Sequence, residues 1–108
     1  IPDYVLAMRA LIDDEFRQPI TLERLEETFH RNKYQLVKAF SKYIGAPPID
    51  YQINKRMSYA KDLLRYSKMS IKEISMAIGI DNTAYFSRLF KSKVGLSPSE
   101  YRQTDKGR

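Results

Sequence analysis

Cysteine is absent from this chain and histidine occurs once, so neither a disulfide, a thiolate metal site nor a pair of imidazole ligands is available to it. The lack of cysteine fits a reducing cytoplasm. No apolar run approaches the roughly twenty residues that a bilayer span requires, so no membrane partner is expected. The opening Ile1-Pro2-Asp3-Tyr4 has neither a basic leader nor an initiator methionine, and the chain reads as a fragment of a longer protein. There is no low-complexity block, no phosphate-cradling glycine loop and no pair of carboxylates with a plausible pocket. Together these absences argue against an enzyme and imply no cofactor and no metal. The 108 residues and 12.7 kDa suffice for one compact domain, or two very small ones sharing an element.

What the chain does have is a near-repeat at a spacing of fifty. Asn32, Leu36, Lys38, Phe40, Ile44, Gly45, Pro48, Asp50 and Tyr51 match Asn82, Phe86, Arg88, Phe90, Val94, Gly95, Pro98, Glu100 and Tyr101 in identity or chemical type. Upstream the offset is forty-nine, pairing Thr21, Leu22 and Leu25 with Ser70, Ile71 and Ile74, so one copy carries an extra residue in its turn. A shift confined to a turn is what two related folded units tolerate.

Charge is unevenly spread. Residues 1–31 hold seven acidic and four basic side chains, whereas 32–108 hold six acidic and fifteen basic. The partner-facing surface is therefore expected after residue 31. Such a basic surface attracts phosphate backbones by counterion release, and it also suits an acidic protein.

Helical periodicity places a first helix from about Tyr4 to Phe16, with Val5, Met8, Leu11 or Ile12, and Phe16 recurring at helical spacing. Thr21 caps a short helix to about Phe29, with Glu23 near its positive end. Asn32 caps the next, whose buried stripe is Leu36, Phe40 and Ile44 and which Gly45 ends. After Pro47-Pro48 a longer helix extends to about Tyr66, with Tyr51, Ile53, Met57, Ala60 and Leu64 available for packing. Ser70-Ile71-Lys72-Glu73 is a capping box for a helix to Ile78; Gly79 turns the chain. Asn82 caps a helix with Phe86, Leu89, Phe90 and Val94 inside, and Ser97-Pro98-Ser99-Glu100 opens a last helix through Gln103. No β-hairpin signal is present, and the fold class is all-α.

Opposite the buried stripe, the helix after Asn32 presents Tyr34, Val37, Lys38 and Ser41. The later helix presents Ala84, Ser87, Arg88 and Lys91, with Thr83 at its amino end. Lys and Arg donate to guanine O6 and N7, Ser and Thr bond to base edges or phosphates, and Val and Ala touch thymine methyls. Asp13-Asp14-Glu15 and Glu23, Glu26 and Glu27 read as solvated acidic faces. His30, without partners at metal spacing, reads as a turn residue, and Tyr43, Tyr51, Tyr59, Tyr66 and Tyr85 as packing residues with a polar tip.

The run from Ile71 to Ile80, then Tyr85-Phe86-Ser87-Arg88-Leu89-Phe90-Lys91, then Val94 to Arg102, resembles the DNA-binding domain of the AraC/XylS family, and the likeness spans Ile20 to Tyr101. The first copy matches more loosely, through Thr21-Leu22-Glu23-Arg24-Leu25, Leu36 to Lys42 and Ile44-Gly45. It departs in its turn, where His30 replaces a usual glycine and Arg31 a usual apolar residue.

The resemblance implies about seven helices: a first helix-turn-helix over 1–46, a linker helix over 47–66 and a second helix-turn-helix over 67–108. It implies recognition helices in successive major-groove segments of one non-palindromic double-stranded DNA site. It assigns base contacts to Tyr34, Val37, Lys38, Thr83, Ala84, Ser87 and Arg88, and phosphate contacts to Thr21, Lys42, Ser70 and Lys91. It further implies a monomeric fragment of a cytoplasmic regulator, with a sensing, dimerisation or receiver domain upstream and RNA polymerase as partner of the full-length protein. The competing reading, a non-catalytic helical module for an acidic protein, would use the same basic face.

Overall fold

The computed structural model describes residues 1–106, and the element boundaries follow the capping chemistry closely. The helices are α1 (Asp3–Glu15), α2 (Leu22–Phe29), α3 (Lys33–Ile44), α4 (Pro48–Tyr66), α5 (Ile71–Ala77), α6 (Thr83–Val94) and α7 (Pro98–Lys106). Among the described residues there are seven helices and no strand, as an all-α reading requires.

α2, α3, α5, α6 and α7 each begin on a side chain that accepts an otherwise unpaired backbone N–H. Thr21 accepts from Arg24, Asn32 from Tyr34 and Asn82 from Tyr85, at 3.0, 2.8 and 2.9 Å. In both capping boxes the bonding is reciprocal. Ser70 and Glu73 exchange bonds of 2.9 and 3.0 Å, and Ser97 and Glu100 bonds of 2.9 and 3.1 Å. Loss of one such cap typically costs about 1 kcal/mol. α3 and α6 stop at Gly45 and Gly95, with φ of +99° and +95°. A Cβ at either glycine would meet nothing within 4 Å, so the backbone conformation rather than crowding selects the residue.

Four boundaries differ from the sequence-based expectation, two of them because α1 and α5 end one residue early, at Glu15 and Ala77, with Phe16 and Ile78 as their caps. α1 starts at Asp3, because the Pro2 carbonyl already accepts from Val5 and Leu6. α7 continues to Lys106 rather than ending near Gln103, since neither glycine nor proline interrupts it and the Thr104 hydroxyl donates back to the Tyr101 carbonyl.

The chain packs as two units, Ile1–Lys55 and Arg56–Arg108, and the division falls inside α4. In the first, Val5, Met8 and Ile12 from one face of α1 are buried with Ile20, Leu25, Leu36 and Phe40. Phe40 meets the edge of Tyr51 at 5.5 Å between ring centroids. Gln52, only 4% exposed, donates to the carbonyls of Phe16 and Gln18 at 3.1 and 2.8 Å. Those oxygens leave the end of α1 without a helical partner, and burying them unpaired would be expensive.

The second unit repeats this plan fifty residues on. Phe90 meets the edge of Tyr101 at 5.6 Å, and Arg102 occupies the place of Gln52. Its guanidinium donates to the carbonyls of Leu64, Ser67 and Leu63 at 3.0, 3.4 and 3.5 Å, closing the end of α4. Met57, Ala60 and Leu64 are buried in this unit along with Ile74, Ile78, Ile80 and Phe86. One helix thus completes the first unit with Tyr51 and Gln52 and begins the second with Met57, Ala60 and Leu64.

Several side chains depart from their expected surroundings. Tyr43, Tyr66 and Tyr85 are not packing residues: they stand 41%, 77% and 49% exposed. Tyr43 and Tyr66 instead carry cations over their rings, Lys42 at 5.2 Å and Arg65 at 6.0 Å. Four carboxylates of the acidic faces also bond to other elements, Asp13 and Glu23 while remaining exposed and Glu15 and Glu26 half-buried. Asp13 accepts from the Tyr51 hydroxyl at 2.6 Å and pairs with Lys55. Glu15 pairs with Arg24, Glu23 with Lys33, and Glu26 accepts from the Lys33 backbone N–H. Burial first, and then the Asp13 carboxylate, push the Tyr51 phenol up to about 12.

Candidate nucleic-acid interface

Each unit joins its two helices by a turn that must aim the second one, and the two turns solve this differently. His30 ends α2 in the left-handed region, φ 53° and ψ 43°, with its N–H on the Glu26 carbonyl at 2.8 Å. Its counterpart at the offset of forty-nine is Gly79, with φ 92°. Histidine therefore takes up the conformation that the second unit gives to glycine.

One residue, Arg31, then precedes the cap Asn32, whereas Ile80 and Asp81 precede Asn82. Ile80 is buried and its carbonyl accepts from the Ser75 hydroxyl. The first unit has no such apolar plug: Arg31 is exposed and lies over the Tyr4 ring, 4.0 Å from its centroid. Glu26, at the place of Ser75, fastens this shorter turn through the Lys33 N–H at 2.8 Å. Both turns are thus held by the side chain at the same repeat position.

With the turns fixed, α3 buries Leu36 and Phe40 and α6 buries Phe86 and Phe90. The opposite faces are left to solvent. On α3 the structure brings together Tyr34, 74% exposed, with exposed Lys38 and half-buried Val37 and Ser41. On α6 it brings together exposed Ala84, Arg88 and Lys91 with half-buried Thr83 and Ser87. Among the described residues neither Lys38 nor Arg88 has a carboxylate ion-pair partner, so both cations remain available to an anionic or base-edge acceptor.

Thr21 and Ser70 are exposed at helix starts, and each hydroxyl oxygen accepts a backbone N–H at 3.0 Å. Capping uses the lone pair and leaves the hydroxyl hydrogen to donate outward. Lys42 and Lys91 are exposed in the last turns of their helices but are not equivalent, since Lys42 aligns with Ser92 and Lys91 with Ser41. Sequence reasoning missed a cavity of about 310 Å³ beside α3, bordered by Tyr4, Arg31, Gln35, Lys38, Lys42 and Tyr43. Its signal was the cation at position 31, where an apolar residue was expected.

No helix among the described residues is long and apolar enough to cross a membrane. Residues 25–104 match the family model described as a helix-turn-helix domain. The chain is 37% identical over 92 residues to the HTH-type transcriptional regulator YdiP of Escherichia coli (strain K12), covering 85% of this chain and 30% of that protein. It is 34% identical over 96 residues to the MmsAB operon regulatory protein of Pseudomonas aeruginosa, covering 89% and 31%. Among solved structures, the C-terminal domain of AraT, a response regulator from Geobacillus stearothermophilus, superposes with a TM-score of 0.90 at 32% identity, covering 95% of this chain and 86% of that one. The chain thus spans about three tenths of the length of the two curated relatives.

Proposed function

The chain belongs to the AraC-type helix-turn-helix family, and on that premise we propose that it is the part of a transcriptional regulator that reads double-stranded DNA, with α3 and α6 entering successive major-groove segments. The observation that carries this reading is the repetition of an unpaired cation, Lys38 and then Arg88, at one position on the outer face of two equivalent helices. A single solvated face has many explanations. The same face built twice, each time behind a cap, a turn and a buried apolar stripe, is what a two-headed groove reader needs.

In this reading Tyr34, Val37 and Lys38 contact bases in one half of the site, and Thr83, Ala84, Ser87 and Arg88 in the other. Thr21, Lys42, Ser70 and Lys91 hold phosphates and set the register without choosing sequence. The functional division keeps 1–46 and 67–108 as reading subdomains and 47–66 as the element connecting them. The domain acts as a monomer without cofactor or metal, in the cytoplasm, and the whole regulator works on RNA polymerase.

Selection of bound duplexes from a random pool tests the proposal, and the expected product is a split motif whose halves lie about one helical turn apart. Affinity should fall steeply with salt while preference over scrambled DNA persists. A flat salt response without duplex preference would instead favour an acidic protein partner. Within the selected site, Arg88→Ala should lose about 1–3 kcal/mol and relax discrimination at one base pair. Equal losses on every sequence would reduce Arg88 to a phosphate contact.

A further inference from the structure

We propose that the groove between Arg31 and Lys42 is a seat for one backbone phosphate of the bound duplex, with Arg31 as a DNA contact outside the recognition face. The inference rests on the DNA-reading function and adds to it a residue, a ligand group and a place on the target. A cavity of about 310 Å³ lies beside α3, with Arg31 and Tyr4 on one border and Gln35, Lys38, Lys42 and Tyr43 on the other. Three of these six side chains are cations, and no carboxylate lines the groove.

The two outer cations are held by aromatic rings rather than by anions. The Arg31 guanidinium lies 4.0 Å from the Tyr4 ring centroid, and the Lys42 ammonium 5.2 Å from that of Tyr43. A guanidinium over a ring face keeps its N–H edge free, so the ring orients the donors without consuming them. Among the described residues Arg31 has no ion-pair partner, and neither has Lys38 or Lys42. Gln35 adds an exposed amide capable of donating to an anionic oxygen.

The position of the groove around α3 selects phosphate over a base edge. At 3.6 residues per turn, Gln35 and Lys42 stand roughly 100° and 80° around the helix axis from Tyr34. A helix about 10–12 Å across fills a major groove about 12 Å wide, so its front meets base edges and its sides meet the phosphate walls. Tyr34 and Val37 belong to the front, Gln35 and Lys42 to one side, and Lys38 borders both. Arg31, from the short turn before α3, reaches that same side. An acidic peptide would meet the same charges, but it has no reason to lie along the flank of a helix whose front is occupied by DNA.

The test measures binding of Arg31→Ala, Arg31→Gln and Arg31→Lys to selected and scrambled duplexes across a salt series. The alanine and glutamine variants should bind every duplex roughly two- to fivefold more weakly and lower the salt slope by about 1, whereas Arg31→Lys should keep the slope. Duplexes carrying single neutral methylphosphonate linkages then locate the contact. One linkage flanking the first half-site should weaken wild-type binding and have no further effect on Arg31→Gln. Because removing Arg31 also removes its contact with Tyr4, the Gln35→Ala, Lys42→Ala double variant, which leaves that contact in place, must become insensitive to the same linkage.

Unchanged affinity and slope on loss of Arg31, or identical linkage profiles for wild type and both sets of variants, would overturn the proposal and leave the groove to another anion. If the wild type shows no duplex preference at all, the DNA-reading function itself fails. Preference that persists without any response at Arg31 removes only the phosphate seat.

Discussion

Replacing His30 by glycine should stabilise the first unit, an unusual outcome for a residue in a turn that positions a recognition helix. Among the described residues His30 is the one position other than glycine with positive φ, at 53° with ψ 43°. An L-residue is disfavoured in that region by roughly 1–2 kcal/mol, because Cβ crowds the following carbonyl oxygen. Glycine removes that term and reintroduces roughly 0.5–1 kcal/mol through its greater freedom in the unfolded chain. The side chain is exposed, and the N–H bond to Glu26 at 2.8 Å survives the change, so little is lost in contacts. The difference of these two terms spans about 0–1.5 kcal/mol and is centred near 0.75 kcal/mol, which corresponds to roughly 3–6 °C in melting midpoint for a unit of this size. Thermal melting followed by circular dichroism reads the midpoint, and amide hydrogen exchange assigns the slower opening to α2 and α3. A lower midpoint, or protection that does not rise in those helices, would refute the reasoning and mean that the imidazole itself holds the turn.

Lys42→Ala should weaken selected and scrambled duplexes by the same factor, and an altered base preference in a binding-site selection would contradict its assignment to phosphate. Glu73 and Glu100 are held below the ordinary 4.5, first by the backbone N–H groups of Ser70 and Ser97 and then by their hydroxyls. A depressed folded value means that their stabilisation is fully present above about pH 4.5 and lost as pH falls below it through the folded values. The double variant Glu73→Gln, Glu100→Gln should therefore flatten the acid limb of the melting curve of the second unit; an unchanged limb would place acid sensitivity elsewhere.

Helix boundaries were legible because they depend on chemistry local to a few residues. Thr21, Asn32, Ser70, Asn82 and Ser97 each mark a helix start by a side chain that reaches its own first turn, and the buried stripes follow from period alone. The outer faces of α3 and α6 could be reached by subtraction from those stripes. Side-chain partners from other elements could not. Asp13 looks like one more acid on a solvated face until Tyr51, thirty-eight residues later, donates to it. Arg31 likewise reads as a breach of a pattern until the Tyr4 ring is found beneath it. Gln52 and Arg102 hold equivalent places in the repeat yet share no chemical type, so comparison of the copies gives no sign of a common role. Only the carbonyls they reach reveal the common task.

That shared scaffold has a consequence for what is read. Caps, terminal glycines, the Phe40–Tyr51 and Phe90–Tyr101 ring pairs and the fastening of α1 and α4 by Gln52 and Arg102 fix the two helices in equivalent ways within their units. The outward residues at matched positions nevertheless differ: Tyr34 against Ala84, Val37 against Ser87, Lys38 against Arg88. A planar guanidinium beside a methyl and a hydroxyl suits a two-pronged bond to guanine with close approach to its neighbours. A flexible ammonium between a phenol and an isopropyl group suits apolar contact with thymine methyls and a single-point donation. Duplication of the frame combined with divergence of the face makes the two halves of the proposed site unlike in sequence. A single chain of this kind therefore has a direction on its DNA, which a symmetric dimer of identical readers lacks.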